Sequence, residues 1–220
     1  MRSPLMYARL ALAACLFAIS VPFALAAPAK PTMALPPDNA PFWTGNPDAP
    51  QFKARIQRRL ALAQGALDKM LAVKGPRTIA NTLAPFDEVQ RQLDMAGSQS
   101  GLVEETNPDS ALRATAEELS QEISKFVTDL SLNRAIYDAL AGMNLTGADA
   151  ETKYYVEKTL RDFKLSGVDK DEATRNKIKK TQEELVLISQ EFGRNIREDK
   201  SSITCTVAEL DGLPQDFIDR

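Results

Sequence analysis

A chain of 220 residues, 44% hydrophobic and 26% charged, is long enough to bury a real core and lies far from the composition of a disordered polymer. It has no histidine and two cysteines, Cys15 and Cys205, which excludes Ser-His-Asp and Cys-His arrangements and the usual imidazole-held zinc site. Its net charge of −3 comes without any block of like charge, so nucleic acid is not expected as a partner.

The first residues read as an export signal. Arg2 and Arg9 form a basic start, Leu10 to Leu25 an apolar stretch, and Ala24-Leu25-Ala26 a small-x-small site, so cleavage is expected after Ala26 and residues 1–26 as signal peptide. The product would be periplasmic or secreted, with no membrane attachment after cleavage. Two other readings stand beside it. The apolar run approaches the roughly 18 residues that can span a bilayer as an uncleaved anchor. Leu12-Ala13-Ala14-Cys15 has the shape of a lipobox that would make Cys15 a lipidation site. If the signal is removed, Cys205 is the only thiol left, and packing rather than a disulfide must hold the fold.

Residues 27–51 form a proline-rich, extended lead-in, since the prolines from Pro28 to Pro50 each remove a backbone donor. Phe42 and Trp43 within it are read as an arm that docks on the domain. From Phe52 the spacing becomes helical, with Ile56, Leu60, Ala63, Leu67 and Leu71 on one face until Gly75-Pro76. A second helical stretch runs from Arg77 to about Ala96 through Ile79, Leu83, Phe86, Val89 and Leu93, with Pro85 opening a first turn or producing a kink. Gly97 to Thr106 reads as a loop.

Asn107-Pro108 reads as a cap and first helical residue, followed by Leu112, Ala116, Leu119, Ile123, Phe126 and Leu130 on one stripe. The regularity lasts under three heptads, so core packing in a bundle is expected rather than a coiled-coil seam. A short helix carries Ile136 and Leu140 to about Gly142. Another runs from about Ala148 to Ser166 through Val156, Leu160 and Phe163, stopped by Gly167. Asp169 with Glu172 reads as a capping box for a long helix through Ile178, Leu185, Ile188, Phe192 and Ile196 to about Glu198, its other face charged and solvated. Ile203, Cys205 and Val207 alternate as in a short strand, and Thr206 with Glu209 can cap a brief turn. Leu213 to Ile218 looks like the start of a further element, so the folding unit is expected to continue past Arg220. The fold class is therefore all-α, a bundle of about six helices with a short strand near the C-terminus.

Chemistry is sparse. There is no phosphate loop or glycine-rich dinucleotide turn, and the H-E-x-x-H pattern is absent. Glu104-Glu105, Glu117-Glu118 and Glu183-Glu184 are adjacent pairs that point about 100° apart on a helix, so they read as solvated faces rather than proton-sharing pairs. Cys205 has no histidine to activate it and reads as an incidental thiol. Asn144-Leu145-Thr146 matches a glycosylation acceptor and is assigned no role. No catalytic, cofactor-binding or metal residue is nominated.

Three stretches in order supply a family. Arg77-Thr78 with Asn81 to Glu88 is similar to an early "NTL" helix. Asn107-Pro108-Asp109 through Ala116 to Phe126, then Asn133 to Tyr137, is similar to a long helix ending before an aromatic turn. Leu160 to Phe163, Ser166 to Val168, Glu183 to Leu185, Glu191-Phe192 and Asn195 to Asp199 are followed by Glu209 to Phe217, an "L-x-G-L-P-x-D-F" segment. Together, over about Phe52 to Arg220, they resemble the thimet oligopeptidase family of zinc metallopeptidases, with neurolysin, oligopeptidase A and dipeptidyl carboxypeptidase among its members.

The resemblance implies a much longer helical protein whose two lobes flank a channel admitting short peptides, with residues 52–220 as an N-terminal helical domain forming one wall. It places the zinc, the H-E-x-x-H helix and its catalytic glutamate in a catalytic domain beyond Arg220, so no catalytic residue carries over to this chain. The function expected is thus an N-terminal fragment of an exported zinc-dependent oligopeptidase, non-catalytic by itself. The alternative is a free-standing periplasmic helical binding module.

Overall fold

The protein is described here by a computed structural model, which covers residues 45–219. The export segment, Cys15, the anchor reading and the Phe42-Trp43 arm lie outside the described residues.

The described residues form seven helices: α1 (Ala49–Leu71), α2 (Ala84–Thr106), α3 (Ser110–Ser131), α4 (Arg134–Ala141), α5 (Ala150–Ser166), α6 (Glu172–Glu198) and the short α7 (Gln215–Ile218). The all-α class stands. α1 starts earlier than its apolar period suggests, because Asp48 accepts from the Gln51 N–H and closes a capping box, while Pro50 occupies the first turn, where its missing donor is no loss.

The second stretch is built differently from the expectation. Thr78 caps a π-helical turn (Ile79–Leu83) whose wider bond runs from the Ala84 N–H to the Ile79 carbonyl, and Pro85 then sits in the first turn of α2. α2 continues through the presumed loop at Gly97 to Thr106. Glycine costs a helix about 1 kcal/mol, but Ala96, Ser100 and Val103 fall on one buried face, and their packing outweighs that propensity. Both Gly97 and Gly101 have room for a Cβ, so neither glycine marks a turn or a close contact.

Two contiguous cores result. One joins Phe52 and Ile56 of α1, Ala96 and Val103 of α2, and Leu112, Leu119 and Ile123 of α3. The other joins Leu67 and Met70 of α1, Phe86 and Val89 of α2, Leu130 of α3, Ile136 and Leu140 of α4, Val156 and Phe163 of α5, and Val168. The beginning of α1 thus meets the end of α2, and the end of α2 meets the beginning of α3, so successive helices run antiparallel. Arg59 spans the α1–α2 interface and donates to Gln92 (3.2 Å) and Gln99 (3.3 Å), so that its buried guanidinium has partners on α2.

Two caps differ from the sequence reading, and a third belongs to a helix for which the sequence reading named none. Asp109, not Asn107, caps α3, its Oδ1 accepting from the Ala111 N–H at 2.8 Å, while Asn107 closes α2. Asp149 caps α5. Asp171, not Asp169, caps α6, accepting from both the Thr174 N–H and its hydroxyl. In each case the carboxylate nearest the first turn wins, because the cap bond reaches only two or three residues ahead. Gly167 stops α5 as expected, at φ 99°, and a Cβ there would lie 2.6 Å from Ile178 Cδ1.

Two larger corrections concern the C-terminal third. The alternation of Ile203, Cys205 and Val207 does not make a strand: residues 199–206 are irregular, and Ile203 and Cys205 are exposed. A single strand has no ladder to satisfy its backbone, and the nearest stable local structure is the capped 3-10 turn Val207–Leu210, with Thr206 and Glu209 bonded as the spacing suggests. The apolar stripe of α6 does not join the core; no residue of that helix is buried.

Candidate functional site

α6 is held to the rest of the protein by polar side chains. Lys179 pairs with Asp129, Gln121 Nε2 donates to Gln190 Oε1 (2.8 Å), Gln190 Nε2 donates to the Glu117 carbonyl (3.0 Å), and Arg194 Nη1 donates to Glu117 Oε1 (2.7 Å). At the far end Arg197 reaches Glu105 of α2 at 3.4 Å. Partners climb along α6 as they descend along α3, so the two helices are antiparallel. The sequence carried a signal for this contact: Gln190, Arg194 and Arg197 recur at four and three residues, the spacing of one helical face.

Glu105, Glu118, Glu183 and Glu184 are exposed, as the solvated-face reading expects, whereas Glu104 is buried and Glu117 half-buried. Glu104 is buried and accepts from the Ser120 hydroxyl at 2.9 Å. Burial raises its carboxyl above the ordinary value; the Ser120 bond opposes this, nearby Glu117 and Glu105 add to it, and Arg197 opposes it. Adjacent glutamates do point apart on one helix, but the neighbouring helix α3 brings Glu117 up to Glu104 and Glu105 of α2. Glu118 meets Lys53 of α1 at 3.6 Å, and Glu184 meets Lys180 at 3.8 Å, both well exposed.

Between α3 and α6 lies a groove of about 230 Å³ lined by Gln121, Ser124, Lys125, Thr128, Gln182 and Val186 among others. Its lining mixes hydroxyl, amide and charged side chains with Val186 and Leu187. On the outer side of α6, away from α3, Leu185, Ile188, Phe192 and Ile196 are 49–67% exposed. The feature that sets this region apart is a surface, not a reaction centre.

Cys205, the one thiol among the described residues, is exposed. The residues present do not fit zinc: the sequence holds no histidine, and among the described residues no group of three or more acidic or thiol side chains could hold a metal ion. Among the described residues no helix is long and apolar enough to cross a membrane.

No protein-family model matches the chain. Among individual proteins, it is similar to saccharolysin of Saccharomyces cerevisiae, at 26% identity over 188 residues, which are 83% of this chain and 26% of that protein. It is similar also to a thimet-like oligopeptidase of Dictyostelium discoideum, at 23% identity over 177 residues, 77% of this chain and 26% of that one. Mitochondrial intermediate peptidase of Mus musculus matches at 30% identity over 108 residues, 47% of this chain and 15% of the peptidase. The chain spans about a quarter of the length of the first two relatives.

Proposed function

With homologues among the thimet-type oligopeptidases, we propose that this chain is the N-terminal helical region of an exported zinc-dependent oligopeptidase, shaping the access of short peptides and catalysing nothing by itself. The similarity to saccharolysin carries this reading: it runs through 83% of this chain yet takes up only 26% of that protein. A match of that kind is what one part of a larger enzyme gives.

The chemistry of the residues supports the division of labour. Peptide hydrolysis by zinc needs ligands and a general base around one ion. This chain has no histidine, and its buried carboxylate, Glu104, is bonded to Ser120 at a helix junction. The catalytic set would come from elsewhere in the polypeptide. Helices α1–α5, packed through two cores, supply a rigid wall, and short peptides would be its ligands only within the complete enzyme.

Reading the gene past codon 220 in all three frames tests the assignment. An H-E-x-x-H-bearing helical sequence is expected there, and its absence would overturn it. Incubating the purified chain with zinc and quenched fluorescent peptides should give no hydrolysis; turnover would refute the non-catalytic role. Export is checked by sequencing the N-terminus of periplasmic product, which should begin at Ala27.

A further inference from the structure

The outer face of α6 is unpartnered although the helix is 27 residues long and strongly two-sided. At about 100° per residue, Ile188 and Phe192 lie roughly 160° around the helix from Gln190, which bonds α3. The apolar stripe therefore points directly away from the bundle. Phe192 is 67% exposed, Ile196 62% and Ile188 61%. A row of large apolar side chains at helical spacing marks a binding surface rather than scattered exposure.

The charges beside the stripe say what fits it. Lys177, Glu184, Glu191 and Glu198 recur every seven residues along one edge, three acids after one base, while Gln182 and Ser189 on the other edge are neutral. Lys180 reaches Glu184, and Glu191 and Glu198 have no basic partner among the described residues. A second copy docked antiparallel would set Glu198 of one chain against Lys177 of the other but would bring Glu184 against Glu191 twice at the centre of the seam. A helix with basic residues along the matching edge would neutralise the row. The relatives are about four times the length of the matching region, so the proposed oligopeptidase has ample further polypeptide to supply one.

We propose that the outer face of α6 is the seam on which an amphipathic, basic-edged helix from the remaining part of the oligopeptidase packs. The inference rests on the proposed function and adds to it the surface, the orientation of α6 and the chemistry of the partner helix. α6 is then a two-sided element: polar bonds fix it to α3, and apolar contacts join it to the rest of the enzyme.

The test uses the full 220-residue chain and, as probe, saccharolysin lacking the quarter that matches this chain, first confirmed to recombine with its own missing quarter. Sedimentation velocity should show a one-to-one complex with the wild-type chain. Phe192→Asp should weaken it at least tenfold, and the double change Glu191→Lys, Glu198→Lys severalfold, with helicity and melting temperature of the free chain unchanged. Equal binding by wild type and Phe192→Asp would overturn the seam and leave the proposed function standing. No binding by the wild type would remove the proposed function and the seam with it. A homodimer of the wild type that Phe192→Asp dissolves would overturn the seam in favour of a second copy.

Discussion

α3 and α6 have the same kind of sequence: each carries large apolar residues at intervals of three and four with charges between them. In α3 the stripe of Leu112, Ala116, Leu119 and Ile123 is buried against α1 and α2. In α6 the stripe of Leu185, Ile188, Phe192 and Ile196 faces solvent, and the charged side makes the contact. Periodicity thus fixes that a segment is an amphipathic helix, but which side is covered depends on what else is present to cover it. Apolar burial holds α1–α5 together, whereas solvent-accessible hydrogen bonds and ion pairs hold α6, and interactions of the second kind each contribute far less.

Matched truncations in the two regions put the largest effect on that contrast. Phe86 is 1% exposed and packs its ring tilted against that of Phe163, centroids 6.1 Å apart, so Phe86→Ala should cost about 3–5 kcal/mol in chemical denaturation. Phe192→Ala should stay within about 0.5 kcal/mol in the isolated chain. A cost for Phe192→Ala approaching that for Phe86→Ala would mean that the outer face of α6 is covered in the free protein, and the contrast would fail.

Capping gives a smaller and more local effect. Asp171→Ala should destabilise α6 by about 1 kcal/mol, whereas Asp169→Ala, whose carboxylate makes an exposed pair with Lys170 and a weaker charge interaction with Arg134, should change little. Because α6 is attached by few contacts, the loss should appear as faster amide exchange in α6 with the exchange of α1–α3 unchanged. Uniform acceleration across all helices would show that α6 unfolds only with the whole domain.

These positions also show how far the sequence could be read. The helix stripes, the left-handed stop at Gly167 and the Thr206–Glu209 cap follow from local spacing, and the structure has them. Asp169 and Asp171 both stand where a cap could be, and the choice falls to Asp171 because α6 begins only at Glu172, after the turn that follows Gly167. Gly97 and Gly101 carry a loop signal that tertiary burial of Ser100 and Val103 overrides. The Glu104–Glu105–Glu117 cluster with Arg194 and Arg197 draws on three helices, and local spacing puts Arg194 and Arg197 on one face of α6 without telling which carboxylates they meet, up to 92 residues away.

That cluster yields the smallest and most pH-specific effect. Glu104 is an acid whose folded value lies above its unfolded one, with burial the main cause, so its ionised form is the disfavoured one in the native state. The penalty is full at pH above the folded value, is relieved as pH falls through it, and is gone below the unfolded value of 4.5. Glu105 on α2 and Glu117 on α3 disfavour its ionisation, Arg197 on α6 favours it, and Arg194 of α6 pairs with Glu117 beside it. Glu104→Gln keeps an acceptor for the Ser120 hydroxyl and removes the buried charge. It should therefore stabilise the protein at pH 7, by less than about 1 kcal/mol, with the gain shrinking toward zero near pH 4.5. Glu88, held down to about 2 chiefly by its bonds from Arg91 and Gln92, loses stabilising charge over the lower range, but it does so in both proteins and cancels from their difference. A gain independent of pH would mean that the improvement comes from packing at the junction, and a loss at pH 7 would mean that ionised Glu104 is favoured by Arg197 more than burial disfavours it.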